Sequence, residues 1–161
     1  MTKIHSKTNA GLSWLDEITP QRAITLVIIL IIIAVALYFA VRAIKKGLAK
    51  LKIQDEINDH ILKTGEVPSF TNAEYVNMSD ILAKAFDGFG TDEAAVYSVF
   101  QKMKNKTDVL NLIDIYGYRP EGRKFFGVDE NLINSLKNEL SASELKKVND
   151  ILASKGINYA F

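Results

Sequence analysis

The sequence predicts an all-α protein with a single transmembrane helix, a basic juxtamembrane stalk and a small helical domain. Two observations support this class. One is a run of 19 residues without charge, Ala23 to Val41, and the other is a series of apolar stripes at helical spacing in the last part of the chain. They divide the chain into an N-terminal tail (1–22), a transmembrane helix (23–41), a basic amphipathic stalk and linker (42–66) and a helical domain (67–161).

The composition excludes several classes of protein. The 161 residues contain no cysteine, which rules out a disulfide scaffold and a cysteine zinc site. The formal net charge is only +1, so we expect no nucleic-acid partner. The charge is unevenly placed, because the chain up to Glu66 carries 9 basic and 6 acidic side chains, and the remainder carries 11 and 13.

The run from Ala23 to Val41 is long enough to cross a bilayer. As a helix it covers roughly 28 Å, close to the thickness of the hydrocarbon core. A cleaved signal peptide is the main alternative, since Lys3 and Lys7 could form its basic region. The run starts late, however, and ends at Val41-Arg42 without a small-x-small cleavage site. The sequence therefore favours an uncleaved, single-pass anchor.

Basic residues after the run indicate an orientation and a stalk. Five follow it within a dozen residues, namely Arg42, Lys45, Lys46, Lys50 and Lys52, whereas three precede it. This bias places the C-terminal domain on the cytoplasmic or equivalent interior side. Ile44, Leu48 and Leu51 are spaced four and three apart among the lysines, which is typical of a helix that lies against anionic lipid headgroups. Ordinary flanking charge that stops translocation explains the same lysines.

Five helices are predicted after the stalk. Gly65 to Phe70, which includes Pro68, forms the linker. The expected first residues or caps of the helices are Thr71, Thr91, Thr107, Asp129 and Ser141. The first and last of these open capping boxes, with a glutamate three residues later. The segment from Gly117 to Gly127 reads as a loop, and no segment shows the alternation of a strand.

One short motif carries the most information about function. Between the first two predicted helices lies Phe86-Asp87-Gly88-Phe89-Gly90-Thr91-Asp92-Glu93, and the fourth helix contains Leu136-Lys137-Asn138-Glu139-Leu140. Together with the five-helix pattern, these segments resemble an annexin repeat, in which a G-x-G-T-D-E turn precedes an L-K-x-E-L helix. The resemblance covers roughly residues 72–152, the length of one repeat.

The resemblance implies a calcium site that contacts phospholipid. Its ligands would be the backbone carbonyls of Phe86, Gly88 and Gly90 and the carboxylate of Glu139, with water and lipid phosphate in the remaining positions. Calcium is accordingly the implied cofactor, and it prefers six to eight oxygen ligands. Alternatively, the glycines serve only to form a tight helix connection, and Glu139 is then an ordinary solvated residue.

These observations predict a membrane-anchored scaffold or adaptor and no enzyme. His5 and His60 are the only histidines, and the sequence contains no nucleophile elbow, P-loop or metalloprotease motif. Membrane lipid is the expected partner of residues 23–41 and of the stalk, and a protein partner or a second copy of the chain is the other. The alternative function is a calcium-independent structural or interaction component of a bacterial envelope or of a lipid-containing virion.

We expect the mature protein to retain Ala23 to Val41 as an integral helix, because the uninterrupted apolar run is stabilised by lipid. Alkaline carbonate extraction should leave the full-length chain in the membrane pellet. Release into the supernatant, or an N-terminus that begins after Val41, would contradict this expectation.

Overall fold

The chain is mostly helical. The structure, a computed structural model, describes residues 19–87, 90–120 and 129–161. In chain order its elements are α1 (Pro20–Thr64), α2 (Asn72–Ala85), α3 (Glu93–Phe100), α4 (Lys106–Tyr116), β1 (Tyr118–Pro120), β2 (Asp129–Asn131), α5 (Leu132–Glu139) and α6 (Ala142–Ser154). The all-α class fits this content. Most of the predicted tail, Gly88 and most of the loop from Gly117 to Gly127 lie outside the described residues.

The chain forms two compact units, Met1–Lys45 and Lys46–Phe161. In the first unit, each large aliphatic or aromatic side chain from Ile24 to Val41 exposes at least 45% of its surface. Within the described part of the chain, α1 is the one helix that is long and apolar enough to cross a membrane. An exposed apolar surface of this size is typical of a segment that contacts a membrane or another protein.

The described residues of the second unit form a core to which α2, α3, α4, α5 and α6 all contribute. Helix α2 packs against α3 and α4, and α6 packs against α3. Phe100 and Leu136, which the apolar stripes place in the core, are both fully buried. The second half of α1 belongs to the same unit, because Ile57 is buried and Ile53 packs against the core. Residues 46–66 are thus part of a folded unit.

Two of the five expected helix starts are confirmed, and the other three are wrong. Capping boxes form at Thr71 with Glu74 and at Ser141 with Glu144. Thr91 and Thr107 are not N-caps. Asp92 caps α3 by accepting a hydrogen bond from the Ala95 N–H, and Asn105 caps α4 through the Asp108 N–H. The neighbouring polar residues took the capping positions because the threonine hydroxyls bond elsewhere, Thr91 to Glu139 and Thr107 to the carbonyl of Glu66.

The expected absence of strands is also wrong. Strands β1 and β2 form an antiparallel pair, with Tyr118 opposite Asn131. Gly117 precedes the pair with a φ of 61°, a conformation that glycine adopts without the strain of a side chain. Because residues 129–131 are paired, α5 begins at Leu132, with Asn131 as its N-cap, and not at Asp129. Strands of three residues are too short to show alternation in a sequence.

A buried carboxylate connects the linker to α2 and α4. Asp108 is fully buried. Its Oδ1 accepts hydrogen bonds from the Ser69 N–H and the Tyr75 hydroxyl, both at 2.7 Å, and its Oδ2 accepts one from the Lys104 N–H at 2.9 Å. A buried carboxylate is costly unless its oxygens are satisfied, and these three donors satisfy them. The linker is further held by Asn105, whose amide donates to the Val67 carbonyl at 3.1 Å.

We expect Tyr75→Phe to destabilise the protein by about 1.5–3 kcal/mol near neutral pH, because it removes a buried hydrogen bond to a charged group. Urea unfolding of the full-length protein measures this change. Tyr97→Phe is the matched control, since Lys147 lies over the Tyr97 ring, 4.3 Å from its centroid, and this contact does not need the hydroxyl. A loss below about 0.5 kcal/mol for Tyr75→Phe would contradict a structural role for the bond.

The same variant should change the alkaline limb of the stability profile. Burial and the hydrogen bond to Asp108 raise the pKa of Tyr75 above its ordinary value of 10.0. A raised folded-state pKa contributes stability below the unfolded-state value and loses it as the pH rises above that value. The stability difference between the wild type and Tyr75→Phe should therefore shrink above about pH 10.

Candidate functional site

The predicted calcium ligands that the structure describes lie after the end of α2 and at the end of α5. Phe86 is the C-cap of α2, and its ring is buried and lies edge-on to Tyr116, with the centroids 6.5 Å apart. Gly90 is exposed and has a φ of 81°, which L-residues rarely adopt. Glu139 is the last residue of α5 and is half-buried. Gly88 lies outside the described residues.

The structure brings the end of the turn to Glu139. The Thr91 hydroxyl donates a hydrogen bond to the backbone carbonyl of Glu139 at 3.0 Å and lies 3.4 Å from its carboxylate Oε2. The turn itself is closed by a hydrogen bond of 3.0 Å from the Asp92 N–H to the Ala85 carbonyl. Residues 48 positions apart are thereby neighbours. Sequence reasoning assigned Thr91 to a helix cap and missed this contact, since nothing in a sequence distinguishes the two uses of the hydroxyl.

The donor types at this turn are suitable for calcium, although they are few. Backbone carbonyl, hydroxyl and carboxylate oxygens are the ligands that calcium prefers. Among the described residues, no group of three or more histidine or acidic side chains could hold a metal ion. Any cation here would therefore depend on backbone oxygens, on Glu139 and on groups from outside the chain. With so little negative charge the affinity would be weak.

The stalk lysines are used in different ways in the second unit. Lys46 pairs with Asp129, and its ammonium lies 5.5 Å from the centroid of the Tyr118 ring. In a second ion pair the stalk supplies the acidic partner, since Glu56 pairs with Lys106 of α4, with N and O 3.2 Å apart. These pairs fasten the stalk to the domain. The composition of the sequence shows such charges but not their partners.

Two of the apolar residues of the stalk do not face the core. Leu48 and Leu51, which the sequence places on an amphipathic stripe, are 61% and 58% exposed. The residues of α1 that are packed lie on another face, which includes Ile53 and Ile57. The exposed stripe is therefore available to a lipid surface or to another protein.

Comparison with known proteins adds no relative to these observations. No protein-family model, no curated protein and no solved structure matches the chain.

The contact between Thr91 and Glu139 leads to a prediction about stability. Thr91→Val keeps the shape of the side chain but removes the hydroxyl, and we expect a loss of about 1 kcal/mol. Thr91→Ser, which retains the hydroxyl, should keep most of this stability. Thermal or urea unfolding of the three proteins would test the expectation, and equal stabilities of Thr91→Val and the wild type would contradict it.

Proposed function

We propose that the protein is a membrane-anchored, non-enzymatic scaffold or adaptor that displays one helical module beside a bilayer. The observation that carries this proposal is the exposed apolar surface of α1 from Ile24 to Val41. In the same chain, residues 46–161 form a folded unit with a core of its own. A continuous apolar segment of this length is stable when its backbone is helical and its side chains contact lipid.

The module would face the cytoplasm or an equivalent interior compartment. The support is the excess of basic residues after the apolar run, five against three, because such residues are retained on the cytoplasmic side. Protein domains on that side meet the anionic leaflet of the membrane. The module is then placed to bring a partner to that surface.

The more specific form of the proposal is weak, calcium-dependent contact with phospholipid. It rests on the resemblance of the turn to that of an annexin repeat and is supported by the contact between Thr91 and Glu139. The carbonyls of Phe86, Gly88 and Gly90 and the Glu139 carboxylate would hold calcium, which would supply a bridge to lipid phosphate. Tethering beside the bilayer would raise the effective concentration to the millimolar range, so weak affinity would suffice.

A second candidate function is a calcium-independent structural or interaction protein of a bacterial envelope or a lipid-containing virion. The exposure of Leu48 and Leu51 favours it, since an apolar stripe on a folded unit is a common contact for a protein partner or a second copy of the chain. A low concentration of free calcium in the interior compartment would also leave a weak site empty and favour this candidate.

The two candidates predict different responses to Glu139→Gln. If calcium bridges the module to lipid, this variant should lose calcium-dependent binding to anionic vesicles while its unfolding transition is preserved, because the change removes a charge and little volume. Flotation of the full-length protein, held in detergent and mixed with vesicles containing phosphatidylserine, with calcium or a chelator, measures the binding.

Glu130→Gln is the matched control, since Glu130 lies in β2 and is not among the proposed ligands. It should bind vesicles as the wild type does. Calorimetry that detects no calcium binding by the wild-type protein at millimolar concentration, with or without lipid, would leave the second candidate.

A further inference from the structure

A cleft of about 690 Å³ lies within the second unit, apart from the Gly90 turn and Glu139. Its walls come from the stalk portion of α1, from the end of α4 with the residues that follow it, from β2 and α5, and from the C-terminal segment. This volume is within the range of sites that hold small molecules. We call it the stalk cleft, and its charged lining residues are Lys46, Lys50, Lys52, Glu56 and Asp114.

Two of these charges are already paired. Lys46 pairs with Asp129, and Glu56 pairs with Lys106. Lys50 and Lys52, by contrast, are exposed and have no ion-pair partner among the residues that the structure describes. The stalk cleft therefore presents two uncompensated ammonium groups, which attract an anion such as phosphate.

The remaining charged group has an unmet hydrogen-bonding requirement. The Oδ1 atom of Asp114 is buried and has no hydrogen-bond partner among the residues that the structure describes. A buried polar atom without a partner is uncommon in native proteins, and one explanation is a bound group that supplies the missing donor. An ammonium group is the best complement, because its bond to a carboxylate is charge-assisted.

The uncharged lining suits the carbon atoms of an amphipathic ligand. Isoleucine side chains from three elements reach the stalk cleft, namely Ile53, Ile113, Ile115 and Ile133. Three of the four are partly exposed. A ligand with a phosphate, an amine and an apolar portion would match the cations, the carboxylate and the isoleucines together.

The bilayer would be the source of such a ligand. This step rests on the proposed membrane anchor. Lys46 follows Val41, the last residue of the apolar run, by five residues, so the chain keeps it within about 18 Å of that residue. Basic pockets between membrane-spanning helices, and basic clusters just beyond such helices, bind the phosphate-bearing headgroups of anionic lipids.

We propose that the stalk cleft binds the headgroup of an aminophospholipid, phosphoethanolamine in chemical terms, independently of calcium. Lys50 and Lys52 contact the phosphate, and the Asp114 carboxylate accepts a hydrogen bond from the ammonium. A choline headgroup has the same charges but no N–H, so it leaves the Asp114 oxygen unsatisfied. Selection of ethanolamine over choline follows from this one difference.

The test uses the full-length protein in detergent micelles with a calcium chelator present. Glycerophosphoethanolamine, glycerophosphocholine and inorganic phosphate are titrated separately, and binding is followed by NMR. We expect glycerophosphoethanolamine to bind at least fivefold more tightly than the other two. If inorganic phosphate binds as tightly as glycerophosphoethanolamine, the cleft is a site for free anions. If glycerophosphocholine binds as tightly, the ammonium N–H groups have no role. If no probe binds at concentrations on the order of 10 mM, the cleft is not a headgroup site. Each of these results overturns the proposal.

Three variants locate the binding. Lys50→Gln combined with Lys52→Gln should weaken glycerophosphoethanolamine binding at least fivefold, and Asp114→Asn should remove the preference over glycerophosphocholine. Lys84→Gln, at an exposed position on α2 outside the stalk cleft, should bind as the wild type does. Unchanged affinity in the lysine double variant, or an unchanged preference in Asp114→Asn, would overturn the proposal. The lysine double variant and Asp114→Asn both alter residues outside the buried core, and thermal unfolding verifies their fold.

Because the chelator is present and the probes are soluble, this test is independent of the calcium hypothesis and of the bilayer. A chain released by alkaline carbonate would remove the anchor, whereas the headgroup titration would still report on the stalk cleft.

Discussion

The second unit depends on the buried carboxylate of Asp108. Its three donors come from the linker, from α2 and from the segment before α4. Without those donors the charge would have a large desolvation cost, and without the charge Ser69, Tyr75 and Lys104 would each lose an acceptor in or near the core. The bonds are mutually dependent, so they specify one path for the linker. The path then determines how the chain passes from the stalk into the helical domain.

This path has a consequence for the stalk. Hydrogen bonds at Val67 and Ser69, and one from Thr107 to Glu66, hold the linker to α4 and to the residues just before it. The helix that precedes the linker therefore has little freedom. Two ion pairs, one at Lys46 and the other at Glu56, then fasten that helix to the domain. A rigid stalk with one packed face is what allows a cleft to exist along it. A flexible stalk would leave Lys50 and Asp114 unrelated in space.

The sequence was sufficient for features that depend on local chemistry. The helix of the apolar run, the capping boxes at Thr71 and Ser141 and the burial of Phe100 and Leu136 all follow from the residues of the segment in which they lie. Features that depend on distant partners were missed. Thr91 and Thr107 were assigned to caps because their hydroxyls suit that role, but the folded chain offers them Glu139 and Glu66 as acceptors. Asp108 resembles a first-turn acid of a helix, and the pairing of residues 118–120 with 129–131 leaves no periodic signal.

The basic residues of the stalk illustrate the same limit for function. In sequence they form one group, for which an interaction with lipid and a block to translocation are equally good explanations. The structure separates them by partner, since Lys46 is bound by Asp129, while Lys50 and Lys52 line the stalk cleft and have no ion-pair partner among the described residues. A topological signal requires only that charge be present near the apolar run. It does not require a nearby carboxylate such as that of Asp114, whose Oδ1 is buried and has no hydrogen-bond donor among the described residues. The buried Asp114 oxygen is therefore the observation that favours the proposed headgroup site over flanking charge alone.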